Sequence, residues 1–300
     1  MSFAALFYII RIEAANVRFV GGLRESRNLR KFGKLAKVKR GDRRRQEDGV
    51  YNKKETKMEY YDNAARGMER GAVSLLEDVG ARSRFLTKTY LNLTGAVAAF
   101  AAIETLLFAF CGDAIVNLFT ASGKLTGFVI LALCLGGPFV ANAILNASKT
   151  KVGHYVALAF YVAMYVLIFM PILAVALLFT DGGLALIGQA AGLTVSLFVA
   201  LTAAVFVTRK DFSFLRSFLV FATLAALGLI LASMLFGFAL GAVFAGAMIA
   251  LACGYILYDT SKVMLHCDES MDVVASIELF ASLMTLFYYV LHLLLSLNRE

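Results

Sequence analysis

Six side chains able to do chemistry recur at spacings of 4, 3, 4, 3 and 4 in the last apolar run of the chain: Glu278, Ser282, Thr285, Tyr289, His292 and Ser296. On a helix that spacing draws one polar stripe. The apolar run before it ends in Gly254-Tyr-Ile-Leu-Tyr-Asp-Thr-Ser261, which carries a single carboxylate, Asp259. A carboxylate facing hydroxyl and phenol oxygens inside apolar surroundings can titrate, and it can offer ligands to a hard cation. Thr285 and Tyr289 extend the stripe in a supporting role. Residue chemistry leaves Asp259 two readings, a functional acid or a helix-end ion pair with Lys262 at i+3. Glu278 has three: a hydrated surface acid, a structural hydrogen bond to another helix, or a second carboxylate beside Asp259. Tyr255 and Tyr258 either orient Asp259 or pack.

Two further groups belong to the candidate ion path. Glu104 lies deep in the first apolar run. Without a local partner it must face the interior, stay protonated or pair with another helix. His292 reads as a hydrogen-bonded core histidine or as a ligand.

These groups need a membrane to position them. The hydrophobic fraction is 60% and the mean hydropathy +0.75, well above a soluble globular chain. Charge is segregated: residues 1–87 hold 20 of the 29 Lys/Arg and 11 of the 21 Asp/Glu. The four cysteines form no C-x-x-C pair and read as buried free thiols rather than a disulfide framework or metal site. No phosphate-binding loop, G-x-S-x-G or H-E-x-x-H occurs, so soluble-enzyme chemistry has no foothold and no cofactor is expected.

The pattern predicts an all-α integral membrane protein with seven transmembrane helices, at about 88–111, 125–147, 153–178, 183–207, 213–235, 240–263 and 273–297. Pro138 and Pro171 fall inside spans. Before the spans, 1–83 reads as a basic, partly disordered cytosolic tail, with 59–87 partly helical along the membrane surface. Its apolar start lacks the features of a cleaved signal peptide, and Met58 or Met68 could equally begin the chain. Nine Lys/Arg between 30 and 45 suit a solvated segment or anionic lipid; no aromatic or fold motif supports nucleic acid. Lys149, Lys151, Arg209, Lys210 and Lys262 fall on the tail's side, which places the N-terminus in the cytoplasm.

Four segments, in order, then resemble one family. They are Phe85-Leu-Thr-Lys-Thr-Tyr90-Leu-Asn-Leu; Gln189-Ala-Ala; Phe206 with Thr208-Arg-Lys-Asp-Phe-Ser-Phe214; and Gly254-Tyr-Ile-Leu-Tyr-Asp-Thr260. Together they resemble the Bax inhibitor (TMBIM) superfamily, in its bacterial YccA-like branch, over about 84–298. The resemblance implies a bundle with the C-terminal helix central and a bacterial inner-membrane location. It also implies a pair of aspartates that share a proton and control a calcium leak. Asp259 matches the first; Ser282 stands at the second, so the pair is broken here. The arginine that latches the pair in some members has no match, because 125–147 contains no charge.

The expected function is therefore an ion leak of Bax-inhibitor type, pH-sensitive and conducting Ca²⁺ past Asp259. The other reading is a non-conducting regulator of a membrane-bound ATP-dependent (AAA) protease or of a stress response. An intramembrane aspartyl protease lacks its second aspartate, and a retinal protein lacks a lysine in the last span.

Overall fold

Main-chain amides in hydrocarbon find no water, so a chain this apolar must satisfy them within each segment. The computed structural model, which describes residues 53–298 apart from 123, 148, 149 and 239, is helical throughout those segments. The described residues form seven helices and no strand: α1 (Lys53–Ser122), α2 (Lys124–Ala147), α3 (Lys151–Phe179), α4 (Gly183–Thr208), α5 (Leu215–Phe236), α6 (Ala242–Leu265) and α7 (Asp272–Leu297). Each expected span lies on one of them. Among the described residues six segments are long and apolar enough to cross a membrane, namely 80–112 of α1 and parts of α3 to α7.

Residues 59–87, expected to be partly helical, are helical without a break, because α1 runs from Lys53 through the first apolar stretch. The basic cluster 30–45 and the apolar N-terminus lie outside the described residues. Residues 53–84 and the bundle from Phe85 onward fall in different compact units.

Helix ends follow local chemistry. Thr150 caps α3 by accepting the Gly153 N–H at 3.4 Å. At the end of α5, Gly237 takes φ +75° and its N–H returns to Ser233 O, a left-handed stop that glycine adopts without a Cβ clash. Arg209 ends α4 in the same left-handed region, at φ +49°, without that freedom. Both prolines sit inside helices that continue past them, Pro138 in α2 and Pro171 in α3.

Of the six candidate spans α7 is the most enclosed: 72% of its most apolar stretch is buried, against 22% for those of α1, α4 and α5. It packs against α6, α4 and α3, while α5 packs on α6 and α2 on α3. Phe169 of α3 ties three helices together. It meets Phe100 of α1 edge-on at 5.1 Å, and from α7 it meets Phe287 face-on at 5.3 Å and Tyr288 edge-on at 5.6 Å. Tyr165 adds a hydrogen bond to Ala281 O at 3.2 Å. Glycines set the closest approaches. A Cβ on Gly183 would stand 1.8 Å from Ala176 O, and one on Gly254 2.8 Å from Leu219 Cδ2.

Candidate functional site

Asp259 lies three-quarters of the way along α6 on the face that α7 covers, and it is 5% exposed. Ser282, fully buried on α7, donates its hydroxyl to Asp259 Oδ2. The same hydroxyl lies 3.2 Å from Glu278 O, one turn back on α7. A serine has one proton to give, so the carboxylate and the backbone carbonyl compete for it.

One turn along α6, Lys262 reaches across to α7 instead of back to Asp259. Its Nζ donates to Glu278 Oε1 at 2.9 Å and to Oε2 at 3.0 Å. The two side chains are 14% and 11% exposed, so the pair is mostly shielded from water. Lys262 remains within electrostatic reach of Asp259. Lys262 thus forms an inter-helix pair, and Glu278 is ion-paired rather than simply hydrated. The outcome is a four-residue cluster, Asp259, Ser282, Lys262 and Glu278, built from two turns of α6 and two of α7.

The other candidate residues make contacts of their own. Tyr255 points to α5, where its hydroxyl meets Thr223 Oγ1 at 2.8 Å. It packs with Tyr258 on Leu219, so both tyrosines hold α5 to α6. Thr285 donates to Ala281 O within its own helix at 2.8 Å. Tyr289 is fully buried against Tyr288. His292 stacks near Tyr288 with 6.5 Å between ring centres. Ten residues of α7 separate it from Ser282, about 15 Å along the axis. Glu104 borders a separate cavity whose lining includes none of the four cluster residues. The stripe and the acids therefore do not form one continuous site.

Three residues that sequence spacing left unassigned join the α4–α5 loop to the last turns of α6. Ser261 accepts the Phe212 N–H at 3.0 Å and donates to Lys210 O at 3.2 Å, tying the α4–α5 loop to α6 two residues after Asp259. His266 Nε2 lies 3.4 Å from Asp211 Oδ2 in the same loop. Asp211 also accepts both the hydroxyl and the N–H of Ser213. Those hydrogen bonds, the hydroxyl's first, and then the nearby His266 imidazole hold the Asp211 carboxyl below its ordinary range. The signal was present as Asp-x-Ser, a turn-forming spacing. Its partner on α6 could not be read from spacing.

Among the described residues no three His, Cys, Asp or Glu side chains gather as a metal site. Cys253 and Cys267 are half-buried, but Cys111 is exposed, against the expectation of burial.

The cluster sits inside the region matched by a family model. Residues 82–299 match the family described as inhibitor of apoptosis-promoting Bax1. The chain belongs to the Bax inhibitor family. It is also 33% identical to an uncharacterized protein of Pseudomonas aeruginosa over 129 residues, 41% of this chain and 55% of that protein. An uncharacterized membrane protein of Vibrio cholerae is 31% identical over 119 residues, 38% of this chain and 51% of that one. The chain thus spans about half the length of the curated relatives it matches.

Proposed function

We propose that this Bax inhibitor family protein is a multi-pass ion leak in a bacterial inner membrane, in which Asp259 contacts a passing cation, Ca²⁺ first among candidates. The observation that carries the reading is the Asp259–Ser282 contact beside the Lys262–Glu278 pair. In this reading α2 is the seventh span, α7 is the central helix, and the N-terminus is cytoplasmic.

The chemistry follows from charge. A hard cation replaces its water with oxygen ligands, six to eight for Ca²⁺. Two turns of helix offer the carboxylates of Asp259 and Glu278, the Ser282 hydroxyl and the Glu278 carbonyl. At rest the Lys262 ammonium occupies Glu278 and serves as a built-in counter-ion. An entering cation competes with it for the same oxygens, so Lys262 limits the leak. Protonating Asp259 removes its charge and gives it a hydrogen to donate, which weakens cation contact as pH falls.

The test is calcium flux into liposomes between about pH 6 and 8, for the wild type, Asp259→Asn and Glu278→Gln. Flux above empty liposomes that drops in Asp259→Asn supports the reading. Flux equal to empty liposomes at every pH sinks it.

A regulator of a membrane-bound ATP-dependent protease is the second reading. It is favoured by the helical stretch 53–84, which falls in a different compact unit from the bundle. Deleting residues 1–57 and measuring protease capture separates the two: capture lost with no flux in the intact chain favours the regulator.

A further inference from the structure

The cluster at Asp259 leaves one buried acid unused. Glu104 is 5% exposed on α1, and neither carboxyl oxygen has a hydrogen-bond partner among the described residues. It borders a cavity of about 330 Å³ enclosed by side chains of α1, α3, α4 and α7, among them Phe100, Leu173, Ile187 and Phe287. That volume lies within the range of small-ligand sites. Leu184 and Val195, which also line it, are exposed, so the cavity opens sideways onto the outer surface of the bundle.

The polar residues on its mainly apolar lining are matched in kind. Thr105 and Thr194 share its lining, and each hydroxyl proton is already given within its own helix, to Ala101 O and Ala190 O, both at 2.7 Å. What they still present is lone pairs. An amine that takes the Glu104 proton leaves a carboxylate, which presents only acceptors and a negative charge. The complement must therefore bring donors and positive charge on an apolar body. A bare metal ion fits poorly, because one carboxylate and two hydroxyls fall short of the six to eight oxygens a hard cation takes. An ammonium group supplies three donors and the charge together.

We propose that this cavity binds an amphiphilic amine, with the ammonium on Glu104 and the alkyl chain along the apolar wall. The site is separate from Asp259 and does not depend on ion conduction. It differs from a simple lipid crevice in reading the head group.

The probe is dodecylamine, with dodecanol as the neutral control, on the full chain in phosphatidylcholine nanodiscs. The hydrophobic reagent dicyclohexylcarbodiimide is used to label Glu104, and the labelled peptide is followed by mass spectrometry. Dodecylamine at ten times its half-protecting concentration slows labelling by about tenfold, as mass action requires, while dodecanol does not. Dodecylamine also raises the melting temperature of the wild type. That rise disappears in Glu104→Gln, and in Ala191→Phe, which keeps the acid and fills the cavity. Equal protection by dodecanol overturns the proposal. So does no labelling of Glu104, since the cavity then admits no apolar reagent. An undiminished rise in Ala191→Phe overturns it as well, and decides the matter even if Glu104→Gln does not fold.

Discussion

Ser282 of α7 gives its hydroxyl to Asp259 of α6, from the position where the family resemblance implies a second carboxylate. A neutral donor therefore holds the acid in place of a second acid. Two carboxylates in that contact would share one proton and titrate as a pair; a carboxylate and a serine do not. Replacing Ser282 with Asp should therefore add a titration step to the flux–pH curve that the wild type lacks. Ser282→Ala should leave no such step and should lower stability by about 1–3 kcal/mol, the cost of removing one hydrogen-bond donor from a buried carboxylate. Liposome flux against pH and denaturant titration in detergent check the two.

The Lys262–Glu278 pair bridges α6 and α7 while largely shielded from water. Removing one member leaves the other charged and poorly solvated. Lys262→Met should cost about 1–3 kcal/mol, less than a fully buried pair because some water reaches it. The double variant Lys262→Met with Glu278→Leu should recover most of that loss. A double-mutant cycle by chemical denaturation gives the coupling, expected at about 0.5–3 kcal/mol. In flux assays Lys262→Met should raise the leak, since the competing cation is gone.

The α4–α5 loop carries a pH dependence of definite sign. Asp211 titrates lower in the folded chain than in the unfolded one, so its contribution is complete above the unfolded value of about 4. It fades as pH falls below that value through the folded pKa. The wild type should exceed Asp211→Asn in melting temperature at pH 6, and the gap should close on acidification below about pH 4. A gap constant down to pH 3 would assign the effect to packing.

Gly183→Ala and Gly254→Ala should differ in kind. The first drives a Cβ onto a backbone oxygen, Ala176 O, which cannot step aside. The second meets Leu219 Cδ2, the end of a side chain. The Gly254 variant should cost about 1–3 kcal/mol and be relieved by Leu219→Ala, whereas no side-chain change should rescue Gly183→Ala. Melting temperatures of the single and paired variants decide this.

The helices were legible because hydrocarbon leaves a long apolar run one way to satisfy its amides. Pairing within the site was legible only in part. Spacing puts Lys262 one turn from Asp259, and it equally puts Lys262 on the face that meets Glu278; the choice depends on how α6 is rotated against α7. The same holds for Tyr255, which spacing places near Asp259 and packing sends to Thr223. The stripe on α7 looked like one lining because its period is regular. From Glu278 to Ser296 that stripe nonetheless spreads over about 27 Å of the helix. Glu278 and Ser282 share the α6 contact, while His292 lies near the far end.

The aromatic knot around Phe169 also gives the protein an optical signature. The chain contains no tryptophan and 12 tyrosines. Tyr161, Tyr165, Tyr255, Tyr258, Tyr288 and Tyr289 are all held in the interior. Near-ultraviolet circular dichroism of this protein therefore reports tyrosines clamped between helices, with no indole signal over them. A single tryptophan placed at Phe287 would be the only indole in the molecule, and its emission would follow the contact between α3 and α7 as cations or amphiphiles bind.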